Sequence, residues 1–147
     1  MVAIGLFVQN GDCKNLVDSG FNGFYTYFAA QGFVYSSTIQ NWNALKTCAS
    51  MMQSPSLFIP SVGPGYDDSP VRPWNKKNTK PRRHGEYYRE MWDEALRLKS
   101  EIVSITSFNE WHEGSQIERA VPKKGYEDYG RDPSFYLKLT KEVSRSA

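Results

Sequence analysis

The sequence predicts an α/β fold of the (β/α)8 TIM-barrel type, represented by about four βα units, which is half of an eight-stranded barrel. Three observations predict it. Short, nearly continuous apolar runs alternate with helical stretches along the chain, as expected of parallel strands covered on both faces. No phosphate-binding glycine fingerprint follows any of these runs, so nothing favours a nucleotide-binding doubly wound sheet. Polar and aromatic side chains gather just after the runs, where barrels and open α/β sheets build their sites.

The elements follow in order. "VAIGLFVQ" (2–9) is a β-branched apolar run, and "GDCKNLVDSG" (11–20) a short helix closed by Gly20. "GFYTYFA" (23–29) reads as an aromatic-rich strand. "TIQNWNALKTCASMM" (38–52) carries a helical stripe at Ile39, Trp42, Leu45, Ala49 and Met52. "SLFIPSV" (56–62) is a third strand, leading into a Pro, Gly, Lys and Arg-rich loop over 63–85, long enough to suggest function or mobility. "EYYREMWDEALRLK" (86–99) places Tyr88, Met91, Trp92 and Ala95 on one helical face. "EIVSITSF" (101–108) is the fourth strand, and "DPSFYLKLTKEVSRS" (132–146) opens with Asp at the N-cap and Pro in the first turn.

At 147 residues the chain makes one domain or part of one. A net charge of +2 gives no global pull toward nucleic acid or acidic membranes. No apolar run is long enough to span a bilayer, and Met1 leads directly into "VAIGLFVQ" without a signal-peptide pattern, so the chain taken literally is soluble and cytosolic. Aromatic residues form 14% of the chain, a composition common where sugar rings are stacked. Cys13 and Cys48 lack metal-ligand spacing and disulfide-scaffold density, and are expected to be two buried thiols.

The block "SITSFNEWHEGSQIE" (104–118) sets Glu110 and Glu113 three residues apart straight after the fourth strand. Either they are solvated charges on a turn, or they are an acid/base pair. Trp111 supplies a potential apolar wall, and a carboxyl beside such a wall has its charged form disfavoured, which suits a general acid. Paired carboxylates in unequal surroundings are the machinery of glycoside hydrolysis.

Competing motifs fail on their own terms. "HEGSQ" begins like a zinc-protease helix, but position 116 is Gln where a second His is needed and Gly114 interrupts the helix. His84 and His112 are too far apart to argue as a metal pair, and no nucleophile-elbow pattern is present. "VGPGY" (62–66) lacks the Lys-Ser/Thr ending of a phosphate loop. "KKNTKPRRH" (76–84) matches no nucleic-acid module and is expected to be a solvated loop.

The stretches "GFYTYFA", "QNWNALK", "FIPSVGPGYDD", "RPWN" and "SITSFNEWHEGSQIERAVPK" resemble the glycoprotein endo-alpha-1,2-mannosidase family, glycoside hydrolase family ninety-nine, through nearly the whole chain. The resemblance implies a (β/α)8 barrel that releases glucosylated mannose from the alpha-1,2-linked arm of a high-mannose N-linked glycan. It implies retention of configuration, no cofactor or metal, and residence in the Golgi lumen or membrane. It implies that Glu110 is the base on the sugar 2-hydroxyl, forming an anhydro sugar, and that Glu113 is the general acid and later the base for water. Asn109 would orient the base, and Tyr27, with Tyr25, would lie near the reacting sugar. Arg72 would contact sugar, Trp74 and Tyr66 would stack on a ring or pack at the rim, and Trp111 and His112 complete the expected substrate-binding set. Family members carry an anchor or signal, a stem and the first half of the barrel before the matching stretch, so the chain is expected to be a C-terminal half-barrel, inactive or impaired alone. The alternative is a non-catalytic carbohydrate-binding fragment.

Overall fold

A computed structural model of the protein describes residues 1–121 and 129–145. Five short strands, β1 (Ile4–Leu6), β2 (Gly23–Tyr25), β3 (Leu57–Ile59), β4 (Ser61–Val62) and β5 (Ser104–Ile105), are interleaved with helices α1 (Asp12–Asp18), α2 (Trp42–Ala49), α3 (Glu86–Arg97) and α4 (Phe135–Val143). β1, β2 and β3 pair in parallel in that order, and β4 pairs in parallel with β5. β3 and β4 are one segment that changes partner at Pro60. Proline has no N–H to give a ladder, while its carbonyl accepts from Ser104 at 3.0 Å. Just beyond, the Ser61 N–H donates to the Thr26 hydroxyl at 2.8 Å.

The register puts Gly5, Phe24 and Phe58 side by side on one face. This face is buried, with Phe24 fully enclosed and Phe7 4.8 Å from it between ring centroids. Trp42 and Leu45 of α2 pack into the same core, the indole N–H donating to the Ser36 carbonyl at 2.8 Å. Tyr88, Met91, Trp92 and Ala95 of α3 are buried too, as the helical stripe predicts, and meet Tyr136 and Leu139 of α4. The opposite face is less covered. Ile4, Tyr25 and Leu57 are only half-buried, and Leu6 is 40% exposed. The expectation of strands covered on both faces is therefore corrected: helices of this chain cover one face.

The elements are shorter than the sequence predicts. The strands occupy only part of their apolar runs: β2 ends at Tyr25 and β5 at Ile105, although the Thr26 and Thr106 N–H groups still reach the Ile59 and Val62 carbonyls at 3.3 and 2.8 Å. Val103 packs against the core from outside any strand. A 3-10 turn over Ile39–Asn41 precedes α2. Asp132 is not the cap of α4: Ser134 is, and Asp132 forms a turn before it, accepting from the Ser134 N–H at 2.9 Å. Residue 146 of that predicted helix, and residues 122–123 of the quoted block, lie outside the described residues.

Cys13 and Cys48 form a disulfide, correcting the expectation of free thiols. Successive βα units lay α1 and α2 side by side, bringing the two Cα atoms to 5.9 Å across 35 residues of sequence, an adjacency that spacing alone does not reveal. By loop entropy, a closed loop of this length stabilises the fold by ~3–4 kcal/mol. Cys13→Ser with Cys48→Ser is expected to lower the urea midpoint accordingly; an unchanged midpoint would show that the bridge carries no stability.

Candidate active site

Residues 106–118 fold back against the end of β5. The Ser107 N–H donates to the Ser115 carbonyl at 2.9 Å and the Ile117 N–H to the Ser107 carbonyl at 3.1 Å. The Ser107 and Ser115 hydroxyls are 3.0 Å apart, and the Ser107 Oγ accepts from the Glu110 N–H at 2.9 Å. Between these anchors Trp111–Glu113 form one 3-10 turn, with Glu110 at its N-cap. Glu110 and Glu113 therefore bracket the turn, one at its N-cap and one as its last residue. Gly114 ends the turn at φ 59°, a conformation costly for other residues, and a Cβ there would lie 3.1 Å from the Asp67 nitrogen.

Two clefts meet at this turn. One, about 340 Å3, is lined by Tyr25, Tyr27, Thr106, Asn109, Glu110 and Glu113. The other, about 290 Å3, is lined by Tyr27, Phe28, Phe33, Tyr66, Asp68 and Arg72, again with Glu113. Glu113, Tyr27 and Thr106 thus stand at the boundary, while Glu110 borders only the first cleft.

Tyr27 is held in the left-handed region, at φ 55°. The Thr106 hydroxyl donates to its carbonyl at 2.6 Å, and the Phe28 N–H turns back to the Thr26 carbonyl at 2.6 Å. A tyrosine kept in that region costs on the order of 1 kcal/mol or more and persists where surroundings impose it. Its ring forms one step of an aromatic series with Tyr25 (6.4 Å), Phe28 (5.0 Å) and, from Phe28, Phe33 (5.2 Å).

The loop after β4 brings charge. Asp68 is 1% exposed, and its Oδ2 accepts from the Tyr66 hydroxyl at 3.0 Å, Arg72 at 3.2 Å and Asn75 at 2.9 Å. Burial alone would push this carboxyl up. The hydrogen bonds from Asn75, Arg72 and Tyr66, with the Arg72 charge, outweigh burial and hold it below the usual range. Burial, then the bond to Asp68 and the neighbouring carboxylate charges, push the Tyr66 phenol up to about 12. Arg72 also donates to Glu113 Oε1 at 3.0 Å, and these carboxylates favour its charged form still further.

The structure therefore brings together Glu110, Glu113, Asn109, Tyr25, Tyr27, Tyr66 and Arg72. The other three candidates lie outside both clefts. Trp111 packs on the core and gives its indole N–H to Glu118 at 2.8 Å, so it is not the expected wall of the site: Glu113 shares its clefts with Tyr27 and Tyr66 and meets the Arg72 guanidinium. His112 is exposed, and Trp74 is 78% exposed on the 3-10 turn Pro73–Asn78. Sequence reasoning missed Asp68, Asn75 and Thr106, although Asp68 stands four residues before Arg72, a spacing that admits an ion pair. It also took residues 76–84 as solvated, whereas Arg82 is buried, stacks over Tyr129 and Tyr136, and donates to the Gly114 and Gln116 carbonyls at 2.7 and 2.9 Å. Arg82 thus pins the far side of the glutamate turn.

Residues 2–147 match the profile of glycosyl hydrolase family 99. The chain belongs to glycosyl hydrolase family 99. Among its relatives, it is 50% identical over 145 residues to the glycoprotein endo-alpha-1,2-mannosidase-like protein of Homo sapiens, covering 95% of this chain and 31% of that protein. It is 49% identical over 146 residues to the glycoprotein endo-alpha-1,2-mannosidase of Rattus norvegicus, covering 96% of this chain and 31% of that one. The solved GH99 endo-alpha-mannosidase of Bacteroides thetaiotaomicron superposes with a TM-score of 0.90 at 43% identity, over 99% of this chain and 43% of its own. The family 99 chain thus spans about a third of the curated relatives it matches. Among its described residues, no group of three His, Cys, Asp or Glu side chains is placed to hold a metal ion, and no helix is long and apolar enough to cross a membrane.

Proposed function

We propose that this chain carries the acid/base half of a retaining endo-alpha-1,2-mannosidase acting on glucosylated high-mannose N-glycans. The observation that carries the reading is the unequal placement of the two glutamates: Glu110 borders one cleft, and Glu113 borders both. An acid that protonates a glycosidic oxygen must stand between the reacting sugar and the leaving group, and a base for the 2-hydroxyl needs to reach the reacting sugar alone.

The reacting mannose then occupies the cleft of Tyr25, Tyr27 and Glu110. Glu110 takes the 2-hydroxyl proton, O2 attacks the anomeric carbon, the bond to the leaving oxygen breaks, and Glu113 delivers its proton to that oxygen. In the second step Glu113, now a carboxylate beside Arg72, takes a proton from water. The water oxygen attacks the anomeric carbon, the bond to O2 opens, and Glu110 returns the proton to O2. Two displacements give net retention.

The same reading makes the chain the C-terminal half of a (β/α)8 barrel. Among the described residues β1 and β5 are each paired on one side only, and the strand face bearing Leu6 stays partly open. Four further βα units would pair both edges and fill that face. The Cys13–Cys48 bridge supports residence in an oxidising compartment, in keeping with N-glycan processing in the Golgi lumen.

The test is incubation with a glucosylated high-mannose glycan, of this chain alone and of a form extended to a whole barrel. The extended form is expected to release a glucosyl-mannose disaccharide of retained configuration, and the chain alone to bind the glycan without turnover. Release of single glucose or mannose units, or of inverted product, would refute the reading.

A further inference from the structure

The loop after β4 docks on the glutamate turn twice. The Asp67 N–H donates to the Glu113 carbonyl at 2.8 Å, and Arg72 holds the Glu113 carboxylate at 3.0 Å. One guanidinium nitrogen of Arg72 makes both contacts that matter, to Glu113 and to Asp68. The Arg72 side chain is 46% exposed and long, so by itself it has many rotamers and little reason to stay on Glu113. Asp68 supplies the reason, being buried, fixed by Tyr66 and Asn75 on the same oxygen, and bonded through its own carbonyl to the Arg72 N–H at 2.7 Å.

We propose that Asp68 is a positioning residue for the acid/base Glu113, acting through Arg72. The inference rests on the role given to Glu113 above and adds where that role's precision comes from. Asp68 touches no reacting atom. It removes the freedom of Arg72, and Arg72 in turn fixes one oxygen of Glu113, leaving the other to meet the glycosidic oxygen. Glu113 is also faced by Tyr66 from the same loop, by Tyr27 across the cleft, and by Glu110 on its own turn. None of these carries a positive charge to pair with its carboxylate, whereas Arg72 does.

A cycle of variants, made in this chain extended to a whole barrel as above, tests the proposal. Asp68→Asn is expected to lower kcat on the glycan roughly ten- to a hundred-fold, the scale of misplacing a reacting group, with KM changed by less than about twofold. On the glucosyl-mannosyl fluoride, whose leaving group needs no proton, the loss should shrink to about threefold or less. Once Arg72 is replaced by Gln, adding Asp68→Asn should cost under about twofold more, because the side chain that carries its effect to the Glu113 carboxylate is gone. Equal losses on both substrates, or losses that multiply in the double variant, would mean that Asp68 merely supports the fold. If Asp68→Asn does not fold by circular dichroism, Asp68→Glu, which keeps the charge but shifts the anchor, is held to the same substrate dependence. Glu113→Gln separates the two levels: wild-type glycan turnover in that variant ends the acid/base reading, while a dead Glu113→Gln with multiplying Asp68 and Arg72 losses ends only the relay.

Discussion

Glu113→Gln is expected to lower kcat on a glucosylated mannoside roughly 10²- to 10⁴-fold, the usual contribution of a positioned general acid. The reason lies in the leaving group. A sugar alkoxide is a poor leaving group unless protonated as the bond breaks, and the glutamine amide keeps the shape and the Arg72 neighbourhood without a proton to give. Against the corresponding glycosyl fluoride the first step needs no acid, so the variant should regain most of its rate there, leaving a residual deficit from the missing base in the water step. Initial rates on the two substrates decide it. A variant whose first, bond-breaking step is no less impaired on the fluoride than on the glycan would remove Glu113 as the acid, and one unimpaired on the glycan would remove it from the chemistry.

Much of this arrangement was legible before the fold. Alternating apolar runs and helical stripes gave the parallel α/β order, since periodicity directly reflects which side chains a strand or helix must bury. The placement of Glu110 and Glu113 after the last strand was legible for the same reason. What stayed hidden depends on contacts between distant segments. Asp68 carried no signal of its own within the loop over 63–85, and only the return of the 66–75 segment onto Glu113 makes it the anchor of Arg72. Arg82 looked solvated within a basic run, yet it lies beneath the glutamate turn, satisfied by two carbonyls and two aromatic faces. Trp111 sat beside both glutamates in sequence but points to the core, because a 3-10 turn sends successive side chains about 120° apart. The Cys13–Cys48 bridge followed from the lateral contact of α1 and α2, which no local pattern encodes.

Glu110→Gln is expected to abolish turnover by a comparable factor, roughly 10²- to 10⁴-fold, but without recovery on the glycosyl fluoride. Its proposed task is to take the proton from O2 as that oxygen becomes the nucleophile, and this requirement is the same whatever leaves from the anomeric carbon. The contrast between the glutamates is therefore sharper than either loss alone: one variant responds to leaving-group quality and the other does not. A substrate with fluorine in place of the 2-hydroxyl provides the complement, because it removes the nucleophile instead of its base; the unaltered enzyme should bind it and not cleave it. If Glu110 were a nucleophile attacking carbon directly, that substrate with a reactive leaving group would instead trap a covalent sugar on Glu110, visible as a mass increase of the protein. Absence of such an adduct, together with an uncleaved 2-fluoro substrate, would leave proton transfer to O2 as the work for Glu110.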